Sequence, residues 1–486
     1  MIDINNKKFK LAFFWTLVAM FFMTSSLLIL YAFGYTFNPE RGIFVHAGSI
    51  TVKSNPLSIE VILNDANVSK KLNRINSSIN IGRVKPGEYI LKVEAPDFNT
   101  WSKKISVHSG LSTEFWNVLL TRKEYARENH GTEGIDDFFI SPRKNLVAGV
   151  KTENGRLSIT ITNTDTNTSE TAFTSADHSF TQDPEENIEW APQSQKIIVP
   201  LMSGEEKLYL IADLDSKENI MLDELAGTSD ISSVRWDSEN KNVVYFITEG
   251  NLYRLDIKEP QDKKIIASNI AGYDISGQYI YYFQLPGGLI FRTNLEATSE
   301  PLQITTSAPS KMEDPSYKII VYDEKRIALR NGSGRLFIFN KGEKDSYFKE
   351  LLADAKGSQF SNDGKKLLFW NNREIYAYFT KDWQTQPYRS ENETISITRF
   401  SQPLKNVQWS NDYEHVIFSV NGQLKITELD HRDNTNTFDI ANFSGSDQKV
   451  VSNFSQGRIY FTDNVAEGPR VLQSIQFPEK ASLLGF

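Results

Sequence analysis

The chain has 486 residues, a net charge of −8 with acidic and basic side chains interspersed, and no cysteine. That length points to more than one domain. The acidic balance argues against nucleic acid as a partner, and the missing thiols exclude disulfides, thiol catalysis and Cys-ligated zinc.

Residues 1–10 read as a short cytoplasmic N-terminus. Lys7, Lys8 and Lys10 stand there against the single Asp3. Residues 11–34 then run without a charged side chain, and Leu11, Phe14, Leu17, Phe21, Leu27 and Leu30 mark their apolar character. A helix of that length crosses the hydrocarbon layer with some tilt, and Leu, Ile, Val and Phe outweigh the hydroxyls of Thr16, Thr24, Ser25 and Ser26. The run exceeds the apolar stretch of a cleaved signal peptide. It therefore predicts an uncleaved, single-pass signal anchor in the cell membrane. The lysine bias keeps the N-terminus inside and sends the bulk of the chain across.

Residues 42–121 have a different rhythm. Strands are expected at 49–52, 58–63, 78–84, 88–94, 101–107 and 114–120, separated by Asn55-Pro56, Asn64-Asp65, Pro86-Gly87 and Ser109-Gly110. Apolar residues alternate in Tyr89–Val93 and Lys104–Val107, as a small β-sandwich requires. The stretch resembles a PEGA domain in Val52-x-Ser54-x-Pro56, in the turn Pro86-Gly87-Glu88-Tyr89 and in Phe98-x-x-Trp101. It lacks the Gly-x-Thr-Pro segment usual near Asn76–Ile81. The resemblance implies a module for contacts at a cell surface rather than catalysis.

Residues 122–134, charged and short of large apolar groups, read as a linker. From 135 to 486 one pattern repeats: an aromatic residue, a polar turn, an apolar run, a second turn and an alternating run. Ser361-Asn362-Asp363-Gly364-Lys365-Lys366 before Leu367–Trp370 is the clearest copy, and Trp409–His415 before Val416–Ser419 the next. Trp190 and Trp236 open two more; weaker copies start at Ile140, Ile275, Tyr322 and Phe454. A period of about 45 residues with four strands per unit predicts a β-propeller of eight, or seven to eight, blades. The aromatic-Ser-x-Asp-Gly-Lys turn resembles the WD40-like repeat of the TolB family. Trp190, Trp236, Phe360 and Trp409 are expected to lock adjacent blades, in preference to stacking on a sugar. Ser482–Phe486 is expected to add a strand to a terminal blade, which would hide the edges of the ring.

The fold class is thus mainly β, behind one N-terminal transmembrane helix. No catalytic, cofactor-binding or metal-binding residue is predicted. Gly-x-Ser-x-Gly, the phosphate-binding Gly-x-x-x-x-Gly-Lys and His-Glu-x-x-His are all missing, and the six histidines are scattered. Asn163-x-Asp165-x-Asn167 spaces oxygens like a calcium loop, but without its glycine and its closing glutamate it reads as solvated loop. The expected role is non-enzymatic binding or scaffolding at the cell envelope. Partners are an envelope protein or polysaccharide, plus the lipid bilayer through the helix. Two rivals are a hydrolase or lyase working with carboxylates in the propeller channel, and a tethered sensor acting through a membrane partner.

Overall fold

The computed structural model describes residues 7–39, 42–69, 72, 76–312, 314–342, 347–464 and 468–478. Helix α1 (Lys7–Ala32) takes in the three lysines ahead of the apolar run, and none of its residues is buried. Thr16, Thr24 and Ser26 donate their hydroxyls to the carbonyls of Ala12, Met20 and Phe22 at 2.9, 2.8 and 2.8 Å. The helix thus satisfies its own polar groups while showing apolar side chains on every side. A two-stranded hairpin follows, Tyr35–Asn38 against Ile43–His46.

The sandwich packs a three-stranded sheet onto a four-stranded one. Gly48–Asn55 lies between Ile79–Val84 and, in parallel, Ser112–Leu119. Glu60–Leu63 and Gly87–Glu94 lie between the short Ala66–Asn67 and the edge strand Trp101–Val107. Ile50, Val52, Val61, Leu91, Val93 and Trp101 form its core, from alternate positions that all face inward.

Eight antiparallel sheets make up the rest. Blades 1 to 7 take their strands in chain order, for example Gly357–Phe360, Lys366–Trp370, Glu374–Phe379 and Thr394–Arg399 in blade 6. Blade 2 carries its inner position on two short strands, Ser179–Phe180 and Glu189–Trp190. Blade 8 combines Val450–Asn453, Arg458–Asn464 and Arg470–Gln476 with Arg127–Glu133 from before blade 1. Apolar clusters fill each of the eight junctions, including Phe138 and Val147 of blade 1 against Tyr460 and Leu472 of blade 8. The ring is closed and has eight blades.

The linker expected at 122–134 is corrected here. Arg127–Glu133 is the outer strand of blade 8, paired with Arg470–Gln476. Its sequence is polar because an outermost strand has one wet face and needs no apolar alternation. Backbone pairing and side-chain contacts such as Arg127 with Asp463 and His130 with Ser474 hold it to blade 8. The strand expected at Ser482–Phe486 lies outside the described residues.

Candidate docking face

The hairpin between the first two strands of each blade and the connection between the last two emerge on one face of the ring. The polar turn of the repeat forms the first of these. In blade 6 the Asp363 carboxylate accepts the Lys365 N–H at 3.0 Å, and the Ser361 hydroxyl accepts that of Lys366 at 3.0 Å. Gly364 takes φ +64°, and a Cβ there would stand 2.3 Å from the Tyr322 ring of blade 5. The φ favours glycine, and the Tyr322 ring leaves no room for a Cβ. Blades 2 and 7 put Ser194 and Tyr413 into the same left-handed region, at φ +55° and +54°.

The sandwich sits on this face over blades 6 and 7. Trp101 Nε1 donates to Glu428 Oε2 at 2.8 Å, and Lys103 Nζ lies 2.8 Å from Glu428 Oε1. Lys103 Nζ also donates to the carbonyls of Asp430, Arg432 and Asn434 at 2.8, 2.9 and 2.8 Å. Arg432 donates to Glu114 O at 2.8 Å, and Gln386 to Ser112 O at 2.9 Å. Lys103 is 1% exposed and Glu428 4%. A buried ammonium is tolerated here because every proton it carries has an acceptor. Beneath the seam, Lys366 pairs with Glu414, and His415 Nδ1 lies 2.7 Å from Asp412. Burial disfavours the charge on His415, but the Asp412 carboxylate and its hydrogen bond outweigh that and raise its pKa. In turn His415 holds Asp412 below the ordinary carboxylate range against its own burial.

Beside the sandwich, an open groove of about 1020 Å³ crosses blades 4 to 6. The connection 380–393 separates the two: Asp382 and Glu391 line the groove while Gln386 holds the sandwich. Tyr279 is 41% exposed, with the Arg292 guanidinium 4.4 Å from its ring centre. The Arg326 guanidinium lies 4.3 Å from that of Tyr322. Burial works to raise the Asp323 pKa, yet Arg326 and the Lys325 N–H hold it below the usual range. Lys341, Lys381 and Asp382 complete a rim of both signs. Such a surface offers ring faces, hydroxyls and charges to a polar ligand.

The inner strands line the central channel, where carboxylates do occur. Arg235 of blade 3 binds Glu189 of blade 2 and reaches Asp274 of blade 4 at 3.4 Å. Both carboxylates are engaged further. Glu189 accepts the Trp236 N–H at 3.1 Å and Asp274 that of Val321 at 2.8 Å, each from the next blade. Gln359 and Gln408 do the same for the N–H groups of Trp409 and Ser452, at 3.1 and 2.8 Å. The indoles of Trp190, Trp236 and Trp409 are buried, and each donates to the preceding blade, to Phe139, Glu189 and Gln359 carbonyls at 3.3, 3.2 and 3.0 Å. Phe360 is half-buried and meets Tyr322 at 5.9 Å between ring centres.

The remaining predicted positions lie apart from one another. In the Pro86–Tyr89 turn, Glu88 pairs with Lys104 at 2.7 Å and the Tyr89 hydroxyl donates to Lys85 O at 2.8 Å. Asn163 spends its side-chain oxygen on the N–H of Asp165 at 2.9 Å. Among the described residues no group of three or more His, Asp or Glu is placed to hold a metal ion. Sequence reasoning missed Lys103, Glu428 and the basic residue that opens the second strand of a blade. Lys196, Arg326 and Lys366 each reach the next blade, at Asn242, Gly364 O and Glu414. The signal was present, since a basic residue follows each of those turns.

Residues 47–122 match the PEGA domain family. No curated protein matches the chain. Among solved structures it is similar to the Dos1 propeller, at 9% identity and a TM-score of 0.48 over 74% of this chain and 96% of that one. It is also similar to Kluyveromyces lactis Hsv2 (12% identity, TM-score 0.41, 64% of this chain and 100% of that one). A third is the oligogalacturonate lyase of Vibrio parahaemolyticus (10%, 0.37, 74% and 100%).

Proposed function

We propose that this chain is a membrane-anchored, extracytoplasmic binding protein of the cell envelope. In this reading α1 spans the bilayer, with Lys7, Lys8 and Lys10 on the cytoplasmic side. The sandwich fixes the height and tilt of the propeller, and the groove of blades 4 to 6 holds an envelope protein or polysaccharide. The observation that carries the reading is the contrast between groove and channel. The groove is open and offers exposed Tyr279 beside charges of both signs. Glu189 and Asp274, two channel carboxylates that a hydrolase or lyase would need free, are occupied by Arg235 and by backbone N–H groups. Those contacts support binding over catalysis.

The test is binding of the full chain, held in lipid nanodiscs, to the host's envelope proteins and to its purified wall polysaccharide. Saturable binding to one class, weakened about tenfold or more by Tyr279→Ala, is the expected result. Binding indifferent to Tyr279→Ala and Lys341→Ala, or no saturable binding to either class, overturns the groove as the site. Breakdown of the polysaccharide that Glu189→Gln abolishes would replace binding with the channel enzyme.

A further inference from the structure

The hairpin between α1 and the sandwich has no core of its own. Directly paired residues share a face, so Tyr35, Phe37, Phe44 and His46 lie together on one side. Phe37 and Phe44 pack ring to ring at 5.3 Å, yet they remain 51% and 41% exposed, and Tyr35 37%. No residue of either strand is buried. A two-stranded hairpin with an uncovered aromatic face is marginal in water. This one is nevertheless fixed in place. Ala47 N–H donates to Gly34 O at 2.9 Å, and the Ser109 hydroxyl donates to His46 O at 2.9 Å. The Arg83 guanidinium of the sandwich lies 3.6 Å from the Tyr31 ring centre of α1. Leu111, beside Ser109 and Gly110, is 61% exposed.

We infer that this aromatic face, with Leu111, is a second membrane contact that lies in the headgroup layer and orients the propeller. The inference rests on the reading of α1 as a membrane span. Only Phe33 and Gly34 separate that helix from the hairpin, so the aromatic face begins where the apolar helix ends. Tyr and Phe rings without carboxylates suit the interface between headgroups and acyl chains, where an aromatic body is covered and a polar edge stays wet. The strands Tyr35–Asn38 and Ile43–His46 hold no acidic or basic side chain besides His46. A protein partner or a second copy is the alternative occupant, and the experiment separates them.

Because the chain has no cysteine, single nitroxide labels can be placed without background. Phe37→Cys and Phe44→Cys report the hairpin, Leu17→Cys the helix, and Ser401→Cys the propeller surface, each in the full chain in phosphatidylcholine vesicles. Collision rates with oxygen and with a water-soluble nickel complex give the depth of each label. The expected result is nickel accessibility at 37 and 44 several-fold below that at 401, with oxygen accessibility between those of 401 and 17. If 37 and 44 meet nickel as freely as 401 while 17 stays in the hydrocarbon, the inference fails and the anchor stands. If 17 also meets nickel freely, the anchor reading itself fails. Shielding of 37 and 44 from both probes, with label-to-label broadening, would assign the face to a second copy instead.

Discussion

Blades 2 to 4 and blades 6 to 8 tie their inner strands together at the same positions with different chemistry. In the first group the acceptors are carboxylates, Glu189 and Asp274, joined by Arg235. In the second they are amides, Gln359 and Gln408, with Asn406 accepting the Val450 N–H at 3.1 Å. Four blades thus carry an acceptor at that place, charged or neutral, while blade 3 carries the donor Arg235 there. The buried charges of the second group lie against the sandwich, where Lys103, Lys366 and His415 each face a carboxylate. Its inner strands carry the simple pairs Lys405 with Asp447 and Lys449 with Asp137. The first group shares one cation between the carboxylates of two blades. The second puts its buried ions in a seam between domains.

The seam should be the costlier to break. Lys103→Met leaves Glu428 buried without its cation, and removing one partner of a buried pair costs about 3–5 kcal/mol. The expected outcome is a loss of that size in denaturant unfolding, and earlier proteolysis between sandwich and propeller. Adding Glu428→Gln should restore part of it, because the stranded charge disappears. A loss below about 1 kcal/mol for the single variant would mean that the apolar contacts around Trp101 and Phe115 hold the sandwich by themselves.

This division between ring and seam also marks what the sequence could show. The repeat was legible because each blade solves the same local problem: a polar turn held by Asp363 or Asp412, then a strand buried on both faces. The sandwich strands were legible from alternation, and six of its seven fall where that pattern places them. Arg127–Glu133 was not, since a strand with one wet face and a partner more than 300 residues away has no local signature. Lys103 falls inside the strand expected at 101–107, with no local sign of its role. Nothing nearby in sequence predicts that its acceptors are Glu428 and the carbonyls of residues 430–434. The groove is likewise built from hairpins of three blades, and its tyrosines look no different in sequence from those of the core.

A second prediction concerns a carboxylate with no counter-charge. Asp223, in the short helix α2 (Leu222–Ala226) after blade 2, is 7% exposed. Its Oδ2 accepts the Tyr209 N–H at 2.8 Å, and its Oδ1 has no partner. Burial pushes its pKa from 3.8 up to about 6. A raised carboxylate pKa means that folding favours the protonated form. Stability from this group is then greatest below the unfolded value and is lost as pH rises from about 4 to about 6, by about 3 kcal/mol. Asp223→Asn keeps the acceptor and removes the titration. The stability of the variant relative to the parent should therefore rise by about that amount between pH 4 and pH 7, read from thermal unfolding at each pH. A difference independent of pH would show that Asp223 finds a cation or water in solution.

The smallest effects test the channel comparison itself. Arg235→Met leaves Glu189 and Asp274 without their shared cation, but the arginine side chain is 46% exposed, so screening limits the cost to about 1 kcal/mol. Gln408→Met removes the acceptor for the Ser452 N–H and the longer donations to the Asn406 and Val450 carbonyls, neutral hydrogen bonds whose joint loss costs about 1–2 kcal/mol. Size cannot tell the two apart, and salt can. The Arg235 variant should approach the parent as ionic strength rises, because the interaction it lost was already fading there. The Gln408 variant should keep its deficit at every salt concentration. If both deficits fade together, the acceptors of blades 6 to 8 belong to a longer electrostatic network that reaches the channel from the seam. If neither fades, the Arg235 contacts act as hydrogen bonds, and the two halves of the ring differ in composition but not in physics.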